Sequence, residues 1–142
     1  MISRTLLIVA RPFGGRLDAE RVSAALADGL REGGWQADPC PIDAASLDRA
    51  AALVRSPELE ARMRAARAIV IAEPRLDEHT LAGTVAFELA TRARQGGVPA
   101  YAVTREKDLD SFDARILDLQ TILVARTHRS LELAGRKLAE LV

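Results

Sequence analysis

In EPRLDEHT (73–80), Glu73, Arg75, Asp77 and His79 recur at every second position, directly after the apolar run AIVIA (68–72). A guanidinium set among carboxylates suits a small charged ligand. The segment also has a purely structural reading. Asp77 and Thr80 are natural capping residues for a helix beginning near Leu81, Arg75 can pair with Glu73 or Asp77, and His79 suits an exposed first turn. Glu73 is the least routine of the group, because it follows a buried strand without a spacer.

A second stretch, RPFGGRLDAE (11–20), carries anion-binding chemistry of another kind. Gly14-Gly15 lets the backbone bend sharply and approach a ligand, with Arg11 and Arg16 on either side. Amides at the start of the following helix, with a guanidinium, can hold an anion there. In the plainer reading the glycines only make the turn and the arginines are solvated. The stretch is neither a Walker loop nor a G-x-G-x-x-G fingerprint, since the required Lys-Ser/Thr and glycine spacings are absent. No metal-ligand spacing joins His79 and His128, and no serine occupies a strand-to-helix elbow. Cys40, among prolines and without a basic neighbour, reads as structural.

The elements that must position these residues follow from the apolar pattern. Short runs recur at TLLIVA (5–10), QADPCPI (36–42), AIVIA (68–72), AYAV (100–103) and TILVA (121–125). All but the second are continuous, as in strands covered on both faces. The second alternates and holds prolines, which places it at a sheet edge. Between the runs lie helical patterns. Val22, Ala25, Leu26, Gly29 and Leu30 share one face of a helix over 18–32, with Asp18 as N-cap and Gly33-Gly34 as its stop. The pattern repeats over 80–95, ending at Gly96-Gly97. The region 44–66 is helical and divided at Ser56-Pro57, 109–119 is a further helix, and a last one starts near Ser130. Strands alternating with helices predict an α/β fold. The expected form is a single three-layer α/β/α domain over residues 1–142, with a five-stranded parallel sheet in the flavodoxin-like order 2-1-3-4-5. Ligands on such sheets gather beyond the carboxyl ends of the strands, at the switch between strands 1 and 3. The loops at 11–20 and 73–80 are therefore expected to face each other.

Composition narrows the partners. Twenty basic residues cancel twenty acidic ones, so no global field draws the chain to nucleic acid or to a membrane surface. No apolar stretch approaches the length of a membrane span, and the N-terminus shows no signal-peptide pattern. The single cysteine excludes an internal disulfide and suits a reducing compartment, so a cytoplasmic location is expected.

Two segments carry a family resemblance. FGGRLDAERVSAALADGL (13–30) resembles the amino-terminal signature of two-domain bacterial glycerate kinases, A-P-D-S-F-K-G-S-L-S-A followed by a Val- and Ala-rich helix. AIVIAEPRLDEHTLAGTVAFELATRARQGGVPAYAV (68–103) is similar to that family's later D-L-V-I-T-G-E-G-R-L-D-x-Q-T-L-x-G-K. Matching positions are Phe13, Gly15, Leu17 and Ala19, then Glu73, Arg75, Leu76, Asp77, Thr80, Leu81 and Gly83. The departures are chemical. Gly14 and Thr84 stand where the family has lysines, Arg16 replaces a serine, Pro74 replaces a glycine, and the aspartate of A-P-D-S is missing.

The resemblance implies a flavodoxin-like domain without the second domain that the family inserts between the two segments; residues 43–67 occupy its place. It also implies a small carboxylate or phosphate ligand at Gly14, Gly15, Arg16, Glu73, Arg75, Asp77 and Thr80. ATP and Mg²⁺ are implied only where kinase activity survives, and the lost lysines count against that, because phosphoryl transfer depends on cationic stabilisation. Three possibilities stay open. The chain is a degenerate anion-binding unit, a kinase completed by a separate second-domain subunit, or a non-enzymatic interaction or regulatory unit, with a homodimer covering the surface the missing domain leaves.

Overall fold

A computed structural model describes residues 3–43, 47–81 and 84–142. Five strands form one parallel sheet: β1 (Thr5–Ala10), β2 (Gln36–Pro41), β3 (Ala68–Leu76), β4 (Ala100–Lys107) and β5 (Ile122–Val124). Their order is β2-β1-β3-β4-β5, the flavodoxin-like arrangement. The helices are α1 (Ala19–Glu32), α2 (Leu47–Val54), α3 (Pro57–Ala65), α4 (Val85–Gln95), α5 (Ser111–Leu117) and α6 (His128–Leu141), with a 3₁₀ turn at Glu78–Leu81. None of the described helices is long and apolar enough to cross a membrane.

The continuous apolar strands bury both faces. Leu6, Ile8, Val70 and Val103 pack on one side against Val22 and Leu26 of α1 and Leu131 and Leu138 of α6. Leu7, Val9, Ile69 and Ile71 pack on the other against Val54, Leu59, Met63 and Leu89 from α2, α3 and α4. The α1–α6 contact is unusually close. A Cβ added at Gly29 would collide with the Glu132 carbonyl oxygen, and one at Gly135 with that of Leu26. The Gly29 position on the buried stripe is thus a crossing point between backbones.

At the β2 edge, Arg62 of α3 makes a forked pair with Asp38 (Nε–Oδ2 3.0 Å, Nη2–Oδ1 2.7 Å) and donates to the Pro39 carbonyl. This covers the proline-bearing edge strand. Pro57 opens α3 beneath the Ser56 cap, as its position after a break in the pattern predicts.

Three boundaries differ from the sequence expectation. The helix expected near Leu81 is divided: Asp77 caps the 3₁₀ turn through the His79 amide (2.9 Å), and α4 begins at Val85 under Thr84. The last helix starts at His128, because Thr127 and Ser130 form a capping box that puts Ser130 inside the first turn. Most consequential, β3 does not stop at Ala72. It continues through Leu76, with Glu73 opposite Thr104, Arg75 opposite Glu106 and Leu76 opposite Lys107. Leu76 is buried and anchors the extension. Pro74, which lacks a ladder N–H, lies beyond the last β1 partner of β3, where the pairing ends at Ala10 and Ala72.

Candidate functional site

The switch between β1 and β3 lies where their ladder ends. Arg11 and Glu73 each follow the last pair, Ala10 with Ala72, and the Arg11 amide donates to the Ala72 carbonyl at 2.9 Å. Their side chains turn inward without being satisfied. Arg11 Nη1 and Glu73 Oε2 are both shut from solvent and have no hydrogen-bond partner among the described residues. Burial pushes the Glu73 carboxyl up to about 7, against the opposing pull of the Arg11 charge. A carboxyl in that range is present in both protonation states near neutrality, so it can accept a proton from a ligand or donate one. Buried polar atoms are nearly always paired, so two orphans at a strand terminus mark the switch point as the candidate site.

The other expected site residues divide between two flanking depressions. Gly14, Gly15 and Arg16 line one of them together with Phe13, Leu17, Arg105 and Arg126. Its floor is a tight turn, closed by Leu17 N donating to Gly14 O at 3.0 Å, and both glycines have positive φ (91° and 60°). The α1 N-terminus is partly occupied by carboxylates. Asp18 already accepts from the Arg21 amide (2.8 Å), and Asp43, from the end of β2, accepts from the Ala19 amide (3.2 Å). Those carboxylates take up the Ala19 and Arg21 amides, two of the donors expected to hold an anion.

Arg75 and Asp77 line the second depression with Glu78, His79, Asp108, Asp110 and Asp113. Arg75 is held there by Glu106 across the ladder, with Nη2–Oε2 at 2.8 Å. The 11–20 loop therefore does not face Arg75 and Asp77 across one pocket. The extension of β3 carries them past it. Gly83 and the Thr80 side chain lie outside the described residues. No group of three or more His, Cys, Asp or Glu among the described residues is placed to hold a metal ion.

Against known proteins, the sequence model of the Glycerate kinase family matches residues 40–141, well over half of the chain. The chain belongs to the glycerate kinase family. The matched region contains the Glu73–Gly83 string and begins after the Gly14-Gly15 loop. No curated protein sequence matches the chain. Among solved structures, it is similar to a diflavin flavoprotein A3 from Nostoc sp. (TM-score 0.53, 18% identity, 99% of this chain and 94% of that one). It is also similar to a flavodoxin-like domain from Synechococcus sp. (TM-score 0.54, 18% identity, 96% of each chain). An oxidoreductase from Corynebacterium diphtheriae is comparable (TM-score 0.53, 10% identity, 100% and 98%). At these identities the likeness establishes the fold alone.

Arg105 and Arg126 are residues that motif reading left out, and Arg11 was read only as flanking the Gly14-Gly15 turn. Their signal was positional: each lies at or just past the carboxyl end of a parallel strand, where such sheets gather functional side chains.

Proposed function

We propose that this glycerate kinase family chain binds a small hydroxy-carboxylate at the carboxyl ends of β1 and β3. Arg11 receives the carboxylate and Glu73 pairs with the hydroxyl. The observation that supports this reading is the orphaned pair, Arg11 Nη1 and Glu73 Oε2, buried together at the switch point. A ligand with an anionic end and a hydroxyl would satisfy both atoms at once. Arg75, paired with Glu106, has no part in this arrangement.

The reading stops short of phosphoryl transfer. Gly14 and Thr84 stand where the family has lysines, and Thr84 is engaged in capping α4. No group of three or more His, Cys, Asp or Glu among the described residues is placed to hold a metal ion, and no step is derived through a metal-bound nucleotide. Titration calorimetry with D-glycerate tests the binding. Saturable binding that Arg11→Gln weakens at least tenfold, with an unchanged melting temperature, would support it. No binding at millimolar glycerate would overturn it. With ATP and Mg²⁺ added, no phosphoglycerate above background is expected from the isolated chain, and robust turnover would restore the kinase assignment.

A non-enzymatic dimeric or regulatory unit is the second reading. It draws on Phe112 and Ile116, one turn apart on α5, and Val124 on the short edge strand β5, which are 70%, 41% and 45% exposed. Sedimentation equilibrium on native protein and Phe112→Asp would show a dimer lost with the substitution if this reading holds.

A further inference from the structure

The depression floored by Gly14 and Gly15 is separate from the Arg11–Glu73 pair, and its chemistry differs. Three guanidinium side chains line it, Arg16 from the turn, Arg105 from β4 and Arg126 from the end of β5, and no carboxylate does. Its volume is ≈ 330 Å³, ample for a phosphate or diphosphate. The three arginines come from distant points in the sequence and form no ion pair with any described residue. In a chain whose formal charges sum to zero, such a concentration is local.

The depression is also built to keep one of these groups in place. Arg105 Nη1 donates to the Phe13 carbonyl at 2.6 Å, reaching from β4 over the β3 extension to the β1 loop. Glycine suits the turn beneath that reach. A Cβ at Gly14 would lie 3.0 Å from Arg105 Nη1, and φ of 91° disfavours any side chain there. With Nη1 fixed, the remaining N–H groups of the fork are available to a second acceptor. Arg21 steadies the other side of the turn by donating to the Arg16 carbonyl at 2.8 Å. Arg126 directly precedes Thr127, the cap of α6, so the positive end of that helix adds to the field.

We infer that Gly14, Gly15, Arg16, Arg105 and Arg126 form a phosphate-binding site, taking a free phosphoanion or the phosphate groups of a nucleotide. Planar guanidinium forks bind phosphate oxygens in pairs, and convergent forks discriminate a multiply charged phosphoanion from a monocarboxylate. The inference does not depend on the hydroxy-carboxylate reading, because its residues and its ligand are different.

Calorimetric titration of the native chain with inorganic pyrophosphate at moderate salt tests it. Saturable one-to-one binding is expected, weakened at least tenfold in Arg105→Leu and in Arg126→Gln. Arg126 is exposed, so its substitution leaves folding intact. Arg94→Gln, on the last turn of α4, is the control for general charge and should bind pyrophosphate as the native chain does. Titration with ATP separates the sources: tighter binding than pyrophosphate, lost in Arg105→Leu, assigns the site to a nucleotide, and equal binding assigns it to the phosphate groups alone. Absent or unsaturable binding, or equal loss in the Arg94→Gln control, would overturn the inference.

Discussion

Where α1 crosses α6, Gly29 and Gly135 bring two backbones so close that neither position can accept a methyl group. Trp35 Nε1 closes the same layer by donating to the Ala139 carbonyl at 3.0 Å. At the carboxyl ends of β1 and β3 the opposite holds. Arg11 and Glu73 are half-buried, each with one buried polar atom left unpaired, although folding satisfies nearly all such groups elsewhere. The first region is close-packed with its hydrogen bonds made. The second retains unmet hydrogen-bonding capacity. The difference teaches where stability is concentrated and where a ligand would contribute it.

The comparison breaks most sharply at Gly29. Alanine in a helix interior is intrinsically favoured over glycine by about 1 kcal/mol, so substitution at an ordinary helical glycine stabilises. Here the collision reverses the sign. Gly29→Val is expected to lower the unfolding free energy by about 3 kcal/mol or more, and Gly29→Ala by less, as read by denaturant titration. A stabilised Gly29→Ala would show that the helices do not meet as closely as described.

At Glu73 the expected effect is a pH slope. Its folded pKa of about 7 lies above the ordinary 4.5, so between those values the folded state holds a proton that the unfolded chain has released. The corresponding stability is fully present below pH 4.5 and is lost as pH rises through 7, by up to about 3 kcal/mol. Melting curves should show the native chain losing stability over that window and Glu73→Gln losing the slope. An identical slope in both would mean that the carboxyl is solvated. A bound hydroxy-carboxylate should alter the native slope if it meets Glu73.

The smallest test lies at Thr84, which belongs with the satisfied half of the molecule despite its place in the family motif. Its hydroxyl accepts from the Phe87 amide at 3.4 Å. Thr84→Ala is expected to cost about 0.5–1 kcal/mol in chemical denaturation and to leave pyrophosphate binding unchanged. Loss of binding without loss of stability would move Thr84 from the helix cap to the ligand.

The sequence alone determined the architecture. Continuous apolar runs separated by amphipathic helices specify a two-sided parallel sheet, Pro39 and Pro41 send β2 to the edge, and Asp18 and Ser56 cap the helices they precede. Each of these follows from local periodicity or from one side chain meeting its own backbone, and so was legible without neighbours. The string Glu73–Gly83 likewise carried the family. The tertiary structure decided the grouping of the site residues. Glu73-Pro74-Arg75-Leu76 reads as a loop because charge and proline discourage strand pairing, yet burial of Leu76 and the ladder to β4 extend β3 through it. That extension separates Arg75 and Asp77 from the Gly14-Gly15 turn and lets Arg105 reach Phe13. It also leaves Arg11 beside Glu73. No spacing encodes these juxtapositions, because they join strands that are distant in sequence and meet only when the sheet orders them.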